Sequence, residues 1–75
     1  MIHNWQHHTT GQGVLYVRLA SHVNAMVRCK PLPDGRYLWQ FRKVVSFADT
    51  IKEAMEYVEA GAEFFDVMHR NPYAN

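Results

Sequence analysis

Residues 36–58 read RYLWQFRKVVSFADTIKEAMEYV, and this stretch decides the fold. Its first half alternates. Tyr37, Trp39 and Phe41 take one side while Arg36, Leu38, Gln40 and Arg42 take the other, the period-two signature of a strand with one buried face. Its second half opens on Asp49-Thr50 with Glu53 three residues after the threonine, a capping box that starts a helix. Beyond that cap Ile51, Ala54, Met55, Val58, Ala62 and Phe65 recur at helical spacing. Lys52, Glu56, Glu59, Glu63, Asp66 and Arg70 form a second, polar stripe. The apolar period continues across Gly61, so a single helix over residues 50–69 is expected, closed by Asn71-Pro72.

Two more strands lie upstream. Over residues 14–20, Leu15, Val17 and Leu19 alternate with Tyr16 and Arg18. Over residues 23–30, Val23, Ala25, Val27 and Cys29 alternate with Asn24, Met26, Arg28 and Lys30. Ser21-His22 is a tight connection between them. Pro31-Leu32-Pro33-Asp34-Gly35 then breaks the chain before the third strand, residues 36–45, because proline presets turn dihedrals and Asp-Gly tolerates positive φ. The expected fold is α+β: a three-stranded antiparallel β-sheet packed on one C-terminal amphipathic α-helix, β-β-β-α. Residues 14–70 form the domain, residues 1–13 a flexible lead-in anchored by Trp5, and residues 71–75 a tail. The expected core is Leu15, Val17, Leu19, Val23, Ala25, Val27, Tyr37, Trp39, Phe41, Ile51, Met55, Val58, Ala62 and Phe65.

Seventy-five residues have room for one domain with a thin stability margin. The single cysteine, Cys29, rules out an internal disulfide and sits on an inward strand face, where a thiol is an inert small hydrophobe. Apolar residues make up 48% of the chain, too many for a disordered polypeptide. No apolar run approaches the ~20 residues that span a bilayer, and the polar start carries no signal peptide, so a cytoplasmic address is expected. The net charge of +1 supports no bulk electrostatic argument. Its distribution is more telling. Arg18, Arg28, Lys30, Arg36, Arg42 and Lys43 stand against Asp34 in one half; Asp49, Glu53, Glu56, Glu59, Glu63 and Asp66 stand against Lys52 and Arg70 in the other.

Strand parity directs Arg18, Arg28, Lys30, Arg36 and Arg42 away from the helix, with Tyr16, Met26 and Gln40 among them. Such a face suits phosphate or an acidic partner, and it also fits the ordinary solvated side of an antiparallel sheet. On the helix, Tyr57, Gly61, Phe64 and Met68 lie beside the core stripe and widen the apolar arc beyond what a sheet-facing helix needs. Gly61 costs ~1 kcal/mol in mid-helix relative to alanine, which close approach of another backbone would justify. This edge predicts a protein partner, a homodimer included, unless Trp5 covers it within the monomer. His3, His7, His8, His22 and His69 show no zinc-site spacing, and there is no glycine-rich phosphate loop or G-x-S-x-G. No metal, cofactor or enzymatic activity is expected. The expected function is a small non-enzymatic regulator or inhibitor, of the kind phages and other mobile elements encode. It would bind a protein of the host nucleic-acid machinery, such as RNA polymerase or a defence complex. The alternative is a DNA- or RNA-binding module that uses the basic outer face of the sheet.

Overall fold

The computed structural model describes residues 4–70, with residues 69 and 70 described by backbone alone. His3 and the expected tail at residues 71–75 lie outside the described residues. Five strands precede one helix: β1 (Trp5–Thr9), β2 (Leu15–Leu19), β3 (Ala25–Arg28), β4 (Tyr37–Phe41), β5 (Val44–Ala48) and α1 (Ile51–Arg70). The strands pair in chain order, every pair antiparallel, in one sheet β1-β2-β3-β4-β5. The expected class holds, an antiparallel sheet on one C-terminal helix, but the sheet has five strands where three were expected.

Both extra strands have identifiable causes. The expected lead-in contains β1, whose Trp5 pairs with Leu19 and whose His7 pairs with Val17. Trp5 fixes it from the other side: its indole N–H donates to Glu59 Oε2 at 2.6 Å. The expected third strand is cut at Arg42-Lys43, where a two-residue turn reverses the chain and sends it back as β5. Arg42 takes a φ of 55° to make that turn. Such turns normally place Gly, Asn or Asp at the positive-φ position, so an Arg-Lys pair conceals the reversal. The Arg42 backbone N–H donates to the Asn24 carbonyl at 3.0 Å, and Gln40 Nε2 donates to the Arg42 carbonyl at 2.9 Å. These bonds brace the turn from two directions.

The helix starts as the sequence dictates. Thr50 Oγ1 accepts from the Glu53 N–H at 3.0 Å, and the Glu53 carboxylate reaches back to the Asp49 N–H at 3.2 Å, so two donors at the helix start are satisfied. The helix lies over β3 and β4 with β5 at its margin. The core between them consists of Val17, Leu19, Ala25, Val27, Ala48, Ala54, Val58 and Ala62, edged by Trp5, Trp39, Phe41, Ile51 and Met55. Among the described residues, only Leu19, Val27 and Val58 are both bulky and fully buried. The alanines let the helix approach closely, and Gly61 shows how closely. A Cβ there would sit 3.3 Å from the Phe41 ring. Gly61 therefore serves the sheet of its own chain, correcting the expectation that it admits a foreign backbone. Leu15 and Val23, expected in the core, are exposed: Leu15 faces Thr9 at the far end of the β1–β2 hairpin, and Val23 lies in the turn before β3.

Candidate binding surface

The registers place His8, Tyr16, Arg18, Met26, Arg28, Leu38, Gln40, Val45 and Phe47 together on the sheet face away from the helix. His8 pairs with Tyr16, Tyr16 with Arg28, Arg18 with Met26, Met26 with Gln40, Leu38 with Phe47 and Gln40 with Val45. Among the described residues no element covers this face and no strand places a carboxylate on it. His8 and Tyr16 stack with ring centroids 5.4 Å apart at 22°. Arg18 and Arg28 are half-buried, and the Nε of each is shielded from solvent with no hydrogen-bond partner. Nor does an acidic side chain pair with either arginine among the described residues. Tyr16, Met26, Arg28 and Leu38, with Gln12 and Val14, line a shallow open depression of ≈ 250 Å³. Its rim is set by Thr10, whose Oγ1 accepts from the Gln12 and Val14 N–H groups at 3.2 and 3.1 Å.

The other expected members of the basic face are placed differently. Arg36 precedes β4, and its guanidinium lies 4.7 Å from the Phe47 ring centroid while Nε donates to Asp34 Oδ2 at 2.9 Å. It thus belongs to the margin of the outer face with its charge already engaged. The Arg36 backbone N–H and then its guanidinium hold the Asp34 carboxyl below its ordinary pKa. Lys30 lies in the β3–β4 connection, beyond the end of β3. Arg42 is on the opposite side of the sheet from Arg28: its guanidinium lies over Phe65 of the helix, 4.4 Å from the ring centroid. The expectation for Arg42 is corrected for a simple reason. Alternation assigns faces only within an unbroken strand, and the chain reverses at this residue.

At that helix-side corner, Ser21 Oγ and His22 Nδ1 are 2.8 Å apart, and His22 Nε2 is 3.0 Å from Asp66 Oδ1. The ring also meets Phe41 and Phe65, at centroid distances of 5.8 and 6.0 Å. Ser21, His22, Asn24, Arg42, Phe65 and Asp66 line an open pocket of ≈ 350 Å³ together with Val23. The sequence shows Ser21-His22 only as a turn; Asp66 comes from the far end of the chain and no local pattern announces it. The His22–Asp66 contact ties the β2–β3 turn to the helix.

Among the described residues the apolar edge of the helix stays largely exposed. Tyr57 stacks on Trp39 at 5.7 Å and 24° yet keeps half its surface exposed, Phe64 is 69% exposed, and Met68 is exposed as well. Trp5 docks on Glu59, on the other flank of the helix, so it leaves this edge open. Cys29 packs against the core, and burial pushes its thiol pKa above the ordinary value. Among the described residues no group of three or more His, Cys, Asp or Glu is placed to hold a metal ion, and no helix is long and apolar enough to cross a membrane. Compared with known proteins, the chain matches no family model, no curated protein and no solved structure.

Proposed function

We propose that the chain is a small non-enzymatic regulator whose working surface is the open outer face of the sheet. Its ligand on this reading is an acidic surface on a protein of the nucleic-acid machinery. The observation that carries the proposal is the pair Arg18 and Arg28: half-buried cations with unpartnered Nε groups on a face without carboxylates. A shielded donor left unpaired costs about 1–3 kcal/mol, which a carboxylate or phosphate brought by a ligand would recover. Around the arginines stand Tyr16, Met26, Leu38 and Phe47. Aromatics, Met and Arg are the side chains favoured at interface centres.

The number of cations favours a protein over a nucleic acid as the ligand. With two free arginines, the salt slope for a nucleic acid is only about −1.4 to −1.8, whereas proteins held strongly by phosphate contact make roughly 6–10 such contacts. Charge alone is therefore too weak to hold a nucleic acid at physiological salt, while the apolar share of the face suits a protein. The acidic back of the helix, with Glu56 and Glu63 exposed, opposes the basic sheet face and steers its approach to an acidic partner. A second reading, direct binding of a single-stranded nucleic acid, is favoured by one observation: the stacked His8–Tyr16 pair beside Arg28 offers a platform for bases.

Capture from nuclease-treated lysate separates the readings when wild type is compared with an Arg18→Glu/Arg28→Glu variant of unchanged circular dichroism. Alongside it, oligonucleotide binding is followed across a salt series. The expected result is a protein retained by wild type despite nuclease and lost by the variant. Capture that disappears with nuclease, together with tight oligonucleotide binding, favours the second reading. Capture equal in wild type and variant removes this face from the function.

A further inference from the structure

We propose that β5 is a pairing edge for a second copy of this chain, two copies joining β5 to β5 in antiparallel fashion about a two-fold axis at Ser46 to make one ten-stranded sheet. The inference goes beyond the outer-face function: Val45 and Phe47 lie at the margin of that face, but what carries the proposal is the free backbone edge of their strand and not Arg18 or Arg28. β5 closes the sheet: among the described residues it pairs with β4 on one side and with no strand on the other. Natural edge strands are blunted with charged residues, proline or bulges, because unpaired N–H and C=O groups recruit another strand. The opposite edge, β1, is Trp-Gln-His-His-Thr and mostly polar. β5 is Val-Val-Ser-Phe-Ala, with no charge and no proline, and it is apolar on both faces: Val44 is 57%, Val45 54% and Phe47 41% exposed.

The register explains why the occupant is a second copy. Val44 pairs with Phe41 across the two-residue turn, Ser46 with Trp39 and Ala48 with Tyr37. In an antiparallel ladder closed by such a turn, these are the hydrogen-bonded pairs, so the N–H and C=O groups of Val45 and Phe47 point off the edge. A two-fold at Ser46 sets Val45 of one copy opposite Phe47 of the other, and the free donors of each meet the free acceptors of its mate. On the outer face this pairs a β-branched with an aromatic side chain, a favourable cross-strand combination. On the helix side it sets Val44 opposite Ala48 and Ser46 opposite itself. No like charges meet anywhere along the strand.

A second layer points the same way. Trp5 of β1 reaches Glu59, which places the flank carrying Tyr57, Phe64 and Met68 on the β5 side of the helix. Pairing at β5 turns the two exposed ridges, and both copies of Val44, toward each other above the axis. The closed two-fold is the commonest form of homo-oligomer, and a domain with so thin a core and no possible internal disulfide gains from it.

Sedimentation velocity on the whole chain gives the first reading, with twice the monomer mass of 8.8 kDa expected at micromolar concentration. Val45→Lys, which adds charge to an exposed edge position, should raise the concentration at half-dissociation at least tenfold while leaving the circular dichroism spectrum unchanged. A second variant keeps the question decidable if Val45→Lys fails to fold. Two Ser46 residues across the axis form a non-hydrogen-bonded pair, with Cα atoms about 4.5 Å apart, within disulfide reach. In a Cys29→Ala background, Ser46→Cys should oxidise to a covalent dimer, while Val44→Cys, which does not meet itself, should not. A monomer at all concentrations, or a dimer that survives Val45→Lys and resists cross-linking through Ser46→Cys, would overturn the proposal.

Discussion

Arg42 holds two contrary roles at one position. Its φ of 55° lies in the left-handed region that glycine adopts freely, while its guanidinium rests on Phe65. Arg42→Ala loses the cation–π contact and keeps the backbone strain; Arg42→Gly loses the contact and relieves the strain. The glycine variant should therefore be the more stable of the two by about 1 kcal/mol, a difference of roughly 4–8 °C in melting temperature for a domain of this size. Thermal unfolding followed by circular dichroism reads this directly, and equal stability would mean that the turn carries no strain. Cys29 makes a second test at this scale. Burial disfavours the thiolate and raises the pKa, so less of the reactive form exists at neutral pH than in an ordinary thiol. Alkylation by iodoacetamide should be slow at pH 7 and climb to a midpoint above that of an ordinary exposed thiol. A midpoint below that value would contradict the packed position given to Cys29.

The helix and the sheet meet most closely where Gly61 faces Phe41, and this contact makes a prediction about elements. A valine at position 61 would push its branched side chain into the Phe41 ring, and overpacking of this kind costs about 1–3 kcal/mol. Gly61→Val should lower the unfolding midpoint in denaturant while the oligomeric state at a fixed folded concentration stays as it was. Unchanged stability with lost association would return Gly61 to a partner-facing role. The elements also show what a local pattern can and cannot announce. β2, β3 and β4 alternate with branched or aromatic residues inward, and α1 carries its cap and stripe openly, so these were legible. β1 was hidden because Trp5 is its one strongly apolar inward residue, and its docking site on Glu59 is distant in sequence. β5 was hidden because Arg42-Lys43 lacks the usual turn residues and because Val44 and Val45 are both exposed, which breaks the inside–outside rhythm. Faces followed the same logic. Parity placed Arg18 and Arg28 correctly because both lie within strands, and it misplaced Arg42 because the strand had already ended.

As a whole, the molecule sets Arg18 and Arg28 among Tyr16, Met26 and Phe47 on the bare side of the sheet, Arg42 on the helix side, Glu56 and Glu63 on the exposed back of the helix, and apolar groups along β5 and the adjoining helix edge. A two-layer fold with a helix on one side cannot avoid leaving a sheet face open, and here that face carries two arginines whose Nε groups have no acceptor among the described residues. The most direct test of its role is an NMR titration with a poly-glutamate peptide, following the arginine Nε–H signals and the methionine methyls. The signals of Arg18, Arg28 and Met26 should shift together and saturate, while those of Arg42 and Met55 stay in place. Shifts confined to Arg42, with Arg18 and Arg28 unmoved, would contradict the account and relocate the binding surface to the helix side of the sheet.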